Sequence, residues 1–523
     1  MASGRTSVNM RDHGGEGGSH DLLSKKAQKC IGRFFLENGI DLSAVNSPSF
    51  RQMLGVVSCR GDADQLRYKI PSFQDMNGWI FQEEWKEAEE YVKRIKDSWT
   101  ITGCSLLLDT WVDMNGRELV TFIADCPEGP VYLESYDVSN IKCDMVALTL
   151  LIDEVVKKVG AENVIQIISC SVTGWVGELG EWFAGCSRGI FWSVSVSGCF
   201  ELMLKEIGKL EVVTNVLDKV KNISKFIHSD PSILKLFRDH SCGKELIVLS
   251  KNDDVVMPYL ALERILTTKK NLTTMFVSSD WKSMIWANKE EGLTVARLVE
   301  DSCFWNAAET VQECTIPVVD GLFLFAKAEE PQVGLIYDTM DRIKESMEKG
   351  LSHKKLSCKP FWDIIDEVWN TRIYTPLHGA GYYLNPFAFY ATDFHLDPEV
   401  TAGLLASLVY MVKEEGIKIK ILGQLDVYRL GKDYFFEASR IDKISGITPA
   451  EWWGRYADQH PELQSFAVKI LSQTCEGASR FRLKRSVAEK VLASGGKSPP
   501  LHHFAFVHYN LHLRRSKTLR RIQ

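Results

Sequence analysis

The chain is 523 residues long, with 45% hydrophobic, 10% aromatic and 25% charged residues. These proportions exclude a collagen-like repeat, a coiled-coil rod and whole-chain disorder, and at about 150 residues per domain they leave room for roughly two to four domains. The formal charge of −6, from 62 Lys and Arg against 68 Asp and Glu, gives no global electrostatic case for nucleic-acid binding.

Residues 1–23 are rich in Gly, Ser, Arg and His, lack an apolar signal core, and read as a disordered tail. Residues 24–100 form an N-terminal helical region. Ala27, Ile31, Phe34 and Phe35 mark one helix over Ser24–Leu36, and Trp85, Ala88, Val92 and Ile95 mark another over Glu83–Ile95. In the second, Glu89 with Lys93 and Glu90 with Arg94 add local support.

Over 101–212 the pattern changes to short apolar runs. Strands are predicted at Cys104–Leu108, Leu119–Ala124 and Val131–Tyr136, the last after the turn Pro127-Glu-Gly-Pro130. A helix over Met145–Val159, capped by Gly160, leads to a buried strand at Val164–Ile168. A helix at Gly174–Phe183, a strand at Ile190–Val196 and a helix at Phe200–Leu210 complete the run. Three strands, then alternating helices and strands, predict a mixed α/β sheet flanked by helices, in the order of a ribonuclease-H-like core.

Residues 213–445 read as almost entirely helical and dense in aromatics, including Trp281, Trp286, Trp305, Trp362 and Trp369. Helices are expected at Val216–Ile227, Met257–Leu266, Leu293–Leu298, Val333–Lys349 and Ala402–Glu415, with the Gly- and Pro-rich stretch Pro376–Pro386 as a turn between helices. The longest apolar run, Val400–Val412, is too short to cross a bilayer, so the expectation is a soluble chain with no membrane partner. Residues 446–514 return to helix over Pro449–Leu471 and Arg485–Leu492, then a loop at Ser494–Pro500 and a closing segment at Phe504–Leu513; 515–523 form a basic tail.

Charge and cysteine placement refine this picture. From Glu476 to Gln523 eleven Lys or Arg stand against two Glu, so this stretch carries +9 and the rest −15. Such a tail suits a nucleic-acid or acidic partner, and a solvated basic helix accounts for it equally well. The 13 cysteines are scattered singly without a C-x-x-C pair, which excludes zinc fingers and ribbons and points to reduced, mostly core thiols in an intracellular protein. His502, His503, His508 and His512 lack an acidic or Cys partner and read as solvated or phosphate-facing.

Asp109 follows the first predicted strand in Asp109-Thr-Trp-Val-Asp113, where a carboxylate would project from the end of a strand toward a cleft. Two-metal phosphoryl-transfer sites need two or three such carboxylates around ions roughly 4 Å apart, although a lone Asp there is also an ordinary turn residue. The stretches Thr102–Asp113, Glu162–Ile167, Glu201–Lys209, Pro376–Pro386, Pro449–Trp453, Phe466–Cys475 and Phe506–Arg514 resemble plant hAT-superfamily transposase-like proteins. The resemblance implies a ribonuclease-H-like catalytic core interrupted by a large all-α insertion, with a C-terminal dimerisation region. It places the first metal-binding Asp on Asp109 and the second on Cys170, and the segment Ser479–Ser486, where the third carboxylate belongs, contains no acid.

Other departures follow. The family's Cys/His pair falls on Ser195 and Gly198, a Thr-Arg-Phe element falls on Asp253-Asp-Val255, and no cysteine pair ahead of Asp109 has the spacing of a BED zinc finger. A thiol is a poor ligand for Mg²⁺, and Arg480, Arg482 and Arg485 would repel a metal. The expectation is a catalytically inactive, domesticated nuclear protein with no cofactor and no bound metal, acting through dimerisation and protein or DNA binding in transcription or chromatin regulation. Its dimer, with itself or a related hAT protein, would use Trp452, Trp453, Leu463, Phe466, Ile470 and Tyr509, residues that suit an intramolecular core equally well. Non-specific DNA contact would fall to Arg480, Arg482, Lys484, Arg485, Arg514, Arg515, Lys517, Arg520 and Arg521. The alternative is an active transposase or nuclease using Asp113, Asp125 or Glu201 as substitute carboxylates.

Overall fold

A computed structural model describes residues 16–58, 69–171, 173–184, 189–250, 253–327, 330–350, 355–431, 435, 446–493 and 499–520. Helix α1 (Glu16–Glu37) starts eight residues before the predicted Ser24 and takes in part of the expected tail, of which 1–15 lie outside the described residues. Helix α2 (Phe81–Thr102) contains the predicted amphipathic stripe, with Ala88, Val92, Ile95 and Trp99 buried. Its acids reach across space: Arg33 of α1 pairs with Glu84 and Glu87, and Lys29 with Glu87.

Gly103, at φ 64°, ends α2 and starts the sheet; a β-carbon there would lie 2.5 Å from the Ile165 side chain. The strands are β1 (Cys104–Val112), β2 (Glu118–Asp125), β3 (Val131–Asp137), β4 (Val164–Ser169) and β5 (Phe191–Val194). They lie in the order β3-β2-β1-β4-β5, with β1, β2 and β3 antiparallel and β1, β4 and β5 parallel. The crossovers are α3 (Met145–Val159) and α4 (Gly174–Ala184), and α5 (Val196–Ile207) follows β5. Asp144 caps α3 by accepting the amides of Val146 and Ala147, and Gly160 ends it as predicted.

Strand alternation divides the core. Cys104, Leu106 and Leu108 of β1 pack with α2 and α3, whereas Leu107 and Trp111 pack with residues from far downstream, including Phe481, Val487, Tyr509 and Leu513. The second face of the sheet is therefore covered by the C-terminal helices α10 (Arg485–Ala493) and α11 (Pro499–Arg520), which follow the long helical region in sequence. The α/β unit thus extends beyond 101–212 and is completed after the helical stretch.

That stretch runs from Glu211 through helices such as Ser302–Lys327 and packs as one hydrophobic cluster against α5 and β5. The expected turn at Pro376–Pro386 is instead a buried helix, α6 (Pro376–Leu384), crossing α7 (Pro398–Met411). Its glycines serve close approach: a β-carbon on Gly381 would meet the Val333 carbonyl at 2.7 Å, and one on Gly403 the Pro376 carbonyl at 2.9 Å. The predicted helix Ala402–Glu415 is broken after Met411, and the next helix spans Glu415–Arg429. Two helices, α8 (Pro449–Tyr456) and α9 (Pro461–Leu471), lead back to the sheet. No helix among the described residues is long and apolar enough to cross a membrane.

Of the eleven described cysteines, all free, six are buried and Cys30, Cys143, Cys242 and Cys303 are exposed; Cys59 and Cys186 lie outside the described residues.

Candidate functional site

Asp109 lies inside β1, opposite Thr121 of β2, and is 3% exposed. The expected position at a strand end is corrected: β1 continues to Val112 because Thr110, Trp111 and Val112 keep pairing with β2. Leu108 and Ser169 are the last paired positions of β1 and β4, so Asp109 and Cys170 follow them as neighbours across the parallel pair. The two positions assigned to the first and second acids are brought together, one as a carboxylate and one as a thiol.

The polypeptide returning from α9 completes the surroundings. Gln473 and Thr474 dock on a buried polar row that crosses the sheet. Ser105 donates to Gln473 Oε1 at 2.9 Å; Gln166 Nε2 donates to the Thr474 carbonyl at 2.7 Å; Ser193 donates to Gln166 Oε1 at 2.9 Å. Gly477 then passes over Cys170, where a β-carbon would stand 2.6 Å from the Cys170 sulfur. Burial pushes the Cys170 thiol up, backbone amides of Ser479 and Ala478 draw it down, and the Asp109 charge adds to the rise. Cys170 is therefore a held, protonated thiol rather than a ready thiolate ligand.

The segment Ser479–Ser486 does run to this site, and it brings cations. Arg485, the first residue of α10, donates to Asp109 Oδ1 at 2.8 Å and lies 5.3 Å from the centre of the Trp111 ring. Arg480 ion-pairs with Asp125 at the end of β2 and stacks on Phe481. Tyr509 of α11 fixes the start of α10: its hydroxyl accepts the Ala488 amide at 3.0 Å and donates to the Lys484 carbonyl at 2.9 Å. That hydroxyl supplies a cap to α10 from another helix and sets where Arg485 begins.

The substitute carboxylates do not converge. Asp113 is held by Arg117 in the β1–β2 turn, at 2.8 Å from Nε. Asp125 is taken by Arg480. Glu201 sits on α5, its carboxyl raised by burial and by the nearby Asp254. Glu476, outside the expected set, is buried, accepts the Ser197 amide at 2.9 Å and the Ser197 hydroxyl at 2.6 Å, and so caps α5. Burial raises its carboxyl, and the bonds from Ser197 counter this.

Among the described residues, no group of three or more His, Cys, Asp and Glu is placed to hold a metal ion. The donor set beside Asp109, one carboxylate, a protonated thiol and a guanidinium, does not fit a hard divalent cation.

The remaining predicted residues separate clearly. Arg482 is exposed, with φ 49°; Lys484 is exposed and donates to the Asn38 carbonyl; Arg485 keeps 46% of its side chain exposed while paired. Arg480 is only 11% exposed, because Asp125 and Thr474 hold it inward, which corrects its assignment to an open DNA-contacting face. Arg514 lies over the Tyr91 ring, and Arg515 reaches Glu37 at 3.4 Å. Lys517, Arg520 and Arg521 have no described side chains; the first two lie on α11 and Arg521 is outside the described residues.

Trp452, Trp453, Leu463, Phe466, Ile470 and Tyr509 are all buried within this chain, the first five in the large helical cluster and Tyr509 against the sheet. Their assignment to a dimer surface is corrected to the intramolecular alternative: each is already covered by its own chain. His508 is likewise core rather than solvated, its Nδ1 2.7 Å from the Leu36 carbonyl; His512 Nε2 meets the Phe481 carbonyl at 2.9 Å.

Residues 71–223, which include Asp109 and Cys170, match a family model described as a domain of unknown function, DUF659, a domain associated with hAT-superfamily transposase-like proteins. Comparison with curated proteins finds no match.

Proposed function

We propose that this chain is a catalytically silent, hAT-transposase-derived protein that works by binding rather than cutting. The sheet order β3-β2-β1-β4-β5, with only β2 reversed against its neighbours β1 and β3, supports a ribonuclease-H-like reading of the scaffold. The observation that carries the proposal is the Arg485–Asp109 ion pair. A guanidinium stands beside the one carboxylate kept from the family pattern, and the neighbouring acid position is a thiol. A single carboxylate cannot position two divalent ions or stabilise the charge that develops on a transferring phosphoryl group.

In this reading the exposed Arg482, Lys484 and half-exposed Arg485 offer a sequence-independent contact for DNA phosphates, with a nuclear site of action and a role in transcription or chromatin regulation. Self-association, or pairing with a related hAT protein, belongs to the same reading and would use surface residues other than the six buried ones.

The test restores the acids. The double variant Cys170→Asp/Arg485→Glu, with Asp109 retained, is expected to gain saturable Mn²⁺ binding by calorimetry, while the unaltered chain shows none and cleaves no labelled DNA end. Metal-dependent cleavage by the unaltered chain, abolished in Asp109→Ala, would overturn the proposal. DNA contact is read separately, as a duplex affinity that falls with salt and whose salt slope shrinks in Arg482→Ala/Lys484→Ala.

A further inference from the structure

We infer that the cleft on the far side of Arg480 binds an extended Lys- and Arg-rich peptide segment of a partner protein. The cleft, about 870 Å³, opens between the β2–β3 turn, residues 330–331 and helices α8 and α9. Among the described residues, its wall carries the carboxylates Asp125, Glu128, Glu330, Glu451 and Asp458 against one guanidinium, that of Arg480, itself committed to Asp125.

Three of these acids are exposed and, among the described residues, hydrogen-bond to neutral groups. Glu128 accepts from the Ser98 hydroxyl at 3.0 Å, Glu451 from the Thr448 amide at 2.9 Å, and Asp458 from Gln464 at 3.1 Å. Among the described residues, none of the three is ion-paired with a Lys or Arg. Such a surface repels a nucleic-acid backbone and attracts cationic side chains.

A second observation is independent of charge. Ser472 lines the same cleft and is 2% exposed, and its hydroxyl has no hydrogen-bond partner among the described residues. A buried hydroxyl left unsatisfied is destabilising, and a peptide backbone in the cleft supplies both the donor and the acceptor it lacks. A small polyamine supplies donors only. Between the acids lie Ile101, Pro127, Pro130, Pro331 and Val468, an apolar floor suited to the aliphatic stems of Lys and Arg.

The experiment uses the full chain and a labelled peptide alternating Arg with Ala, read by fluorescence anisotropy. Saturable binding that weakens with salt is expected, with at least a tenfold loss in Glu128→Gln/Glu451→Gln/Asp458→Asn. The amides keep side-chain shape and the Thr448 cap, and all three positions are exposed, so folding is preserved. The charge-matched variant Asp280→Asn/Glu290→Gln/Glu291→Gln, altered at exposed positions outside the cleft, is expected to bind like the parent. Ser472→Ala is expected to weaken binding with no change in the salt slope. Undiminished binding by the cleft variant, or equal losses in the two triple variants, overturns the assignment. So does displacement by spermine at equal charge with Ser472→Ala silent, which would identify a small polycation as the ligand.

Discussion

Replacing Arg485 with Met leaves an aliphatic stem on Trp111 and removes the cation that, among the described residues, is bonded to Asp109. Asp109 has 5% of its side chain exposed, whereas Arg485 has 46%, so the pair lies between a surface ion pair and a fully buried one. Surface pairs contribute about 0–1 kcal/mol, and breaking a buried pair costs about 3–5 kcal/mol. Water can reach the rim where Arg485 emerges, so the expected cost of Arg485→Met is about 2 kcal/mol. Asp109→Asn alone strands the guanidinium, which solvent rescues, and costs about 1 kcal/mol. The double variant faces a neutral amide with a thioether and falls within about 1 kcal/mol of the parent, giving a coupling of about 2 kcal/mol. A chain of this length does not unfold in one step, so a global midpoint is the wrong readout. Amide exchange of peptides spanning Cys104–Val112 and Arg485–Ala493 measures the local opening directly. Additive single effects, with a coupling under about 0.5 kcal/mol, would refute the ion pair and with it the electrostatic account of this site.

Gly477→Ala drives a methyl group to 2.6 Å from the Cys170 sulfur and is expected to destabilise the returning segment by about 1–3 kcal/mol; Cys170→Ala in the same chain should recover part of that, and no recovery would show that the clash lies elsewhere. Acid sensitivity is expected from two buried imidazoles, His378 and His508, both lowered to about 4 chiefly by burial. The unfolded chain protonates them near pH 6.5, so their contribution is complete above that value, declines as pH falls toward 4 and is flat below it. Each is on the order of 3 kcal/mol over that window. Exchange protection of Pro376–Leu384 that is the same at pH 7 and pH 4.5 would contradict the burial of His378.

The element order of the sheet region was legible from 2-residue and 3.6-residue periodicities because each strand and helix there buries its own face: Val164–Ile168 is continuously apolar but for Gln166, and Met145–Val159 is flanked by its cap and its terminator. That Cys170 and Ser479–Ser486 contain no acid was likewise visible, since residue type needs no structure to read. What sequence could not decide was every contact made across hundreds of residues. Pro376–Pro386 looks like a turn because Gly and Pro break isolated helices; only the close approach of Val333 and of α7 makes those glycines a helix face. Trp452, Trp453 and Tyr509 have the character of an interface or of a core, and which one follows from whether the same chain already covers them. Ion-pair partners are equally invisible: Arg485 reaches Asp109, Arg480 reaches Asp125 and Glu476 caps α5 because strands close in sequence are covered by helices encoded more than 270 residues later. Local chemistry fixes the alphabet of such a site; tertiary folding, by joining segments that no periodicity links, decides which charges meet.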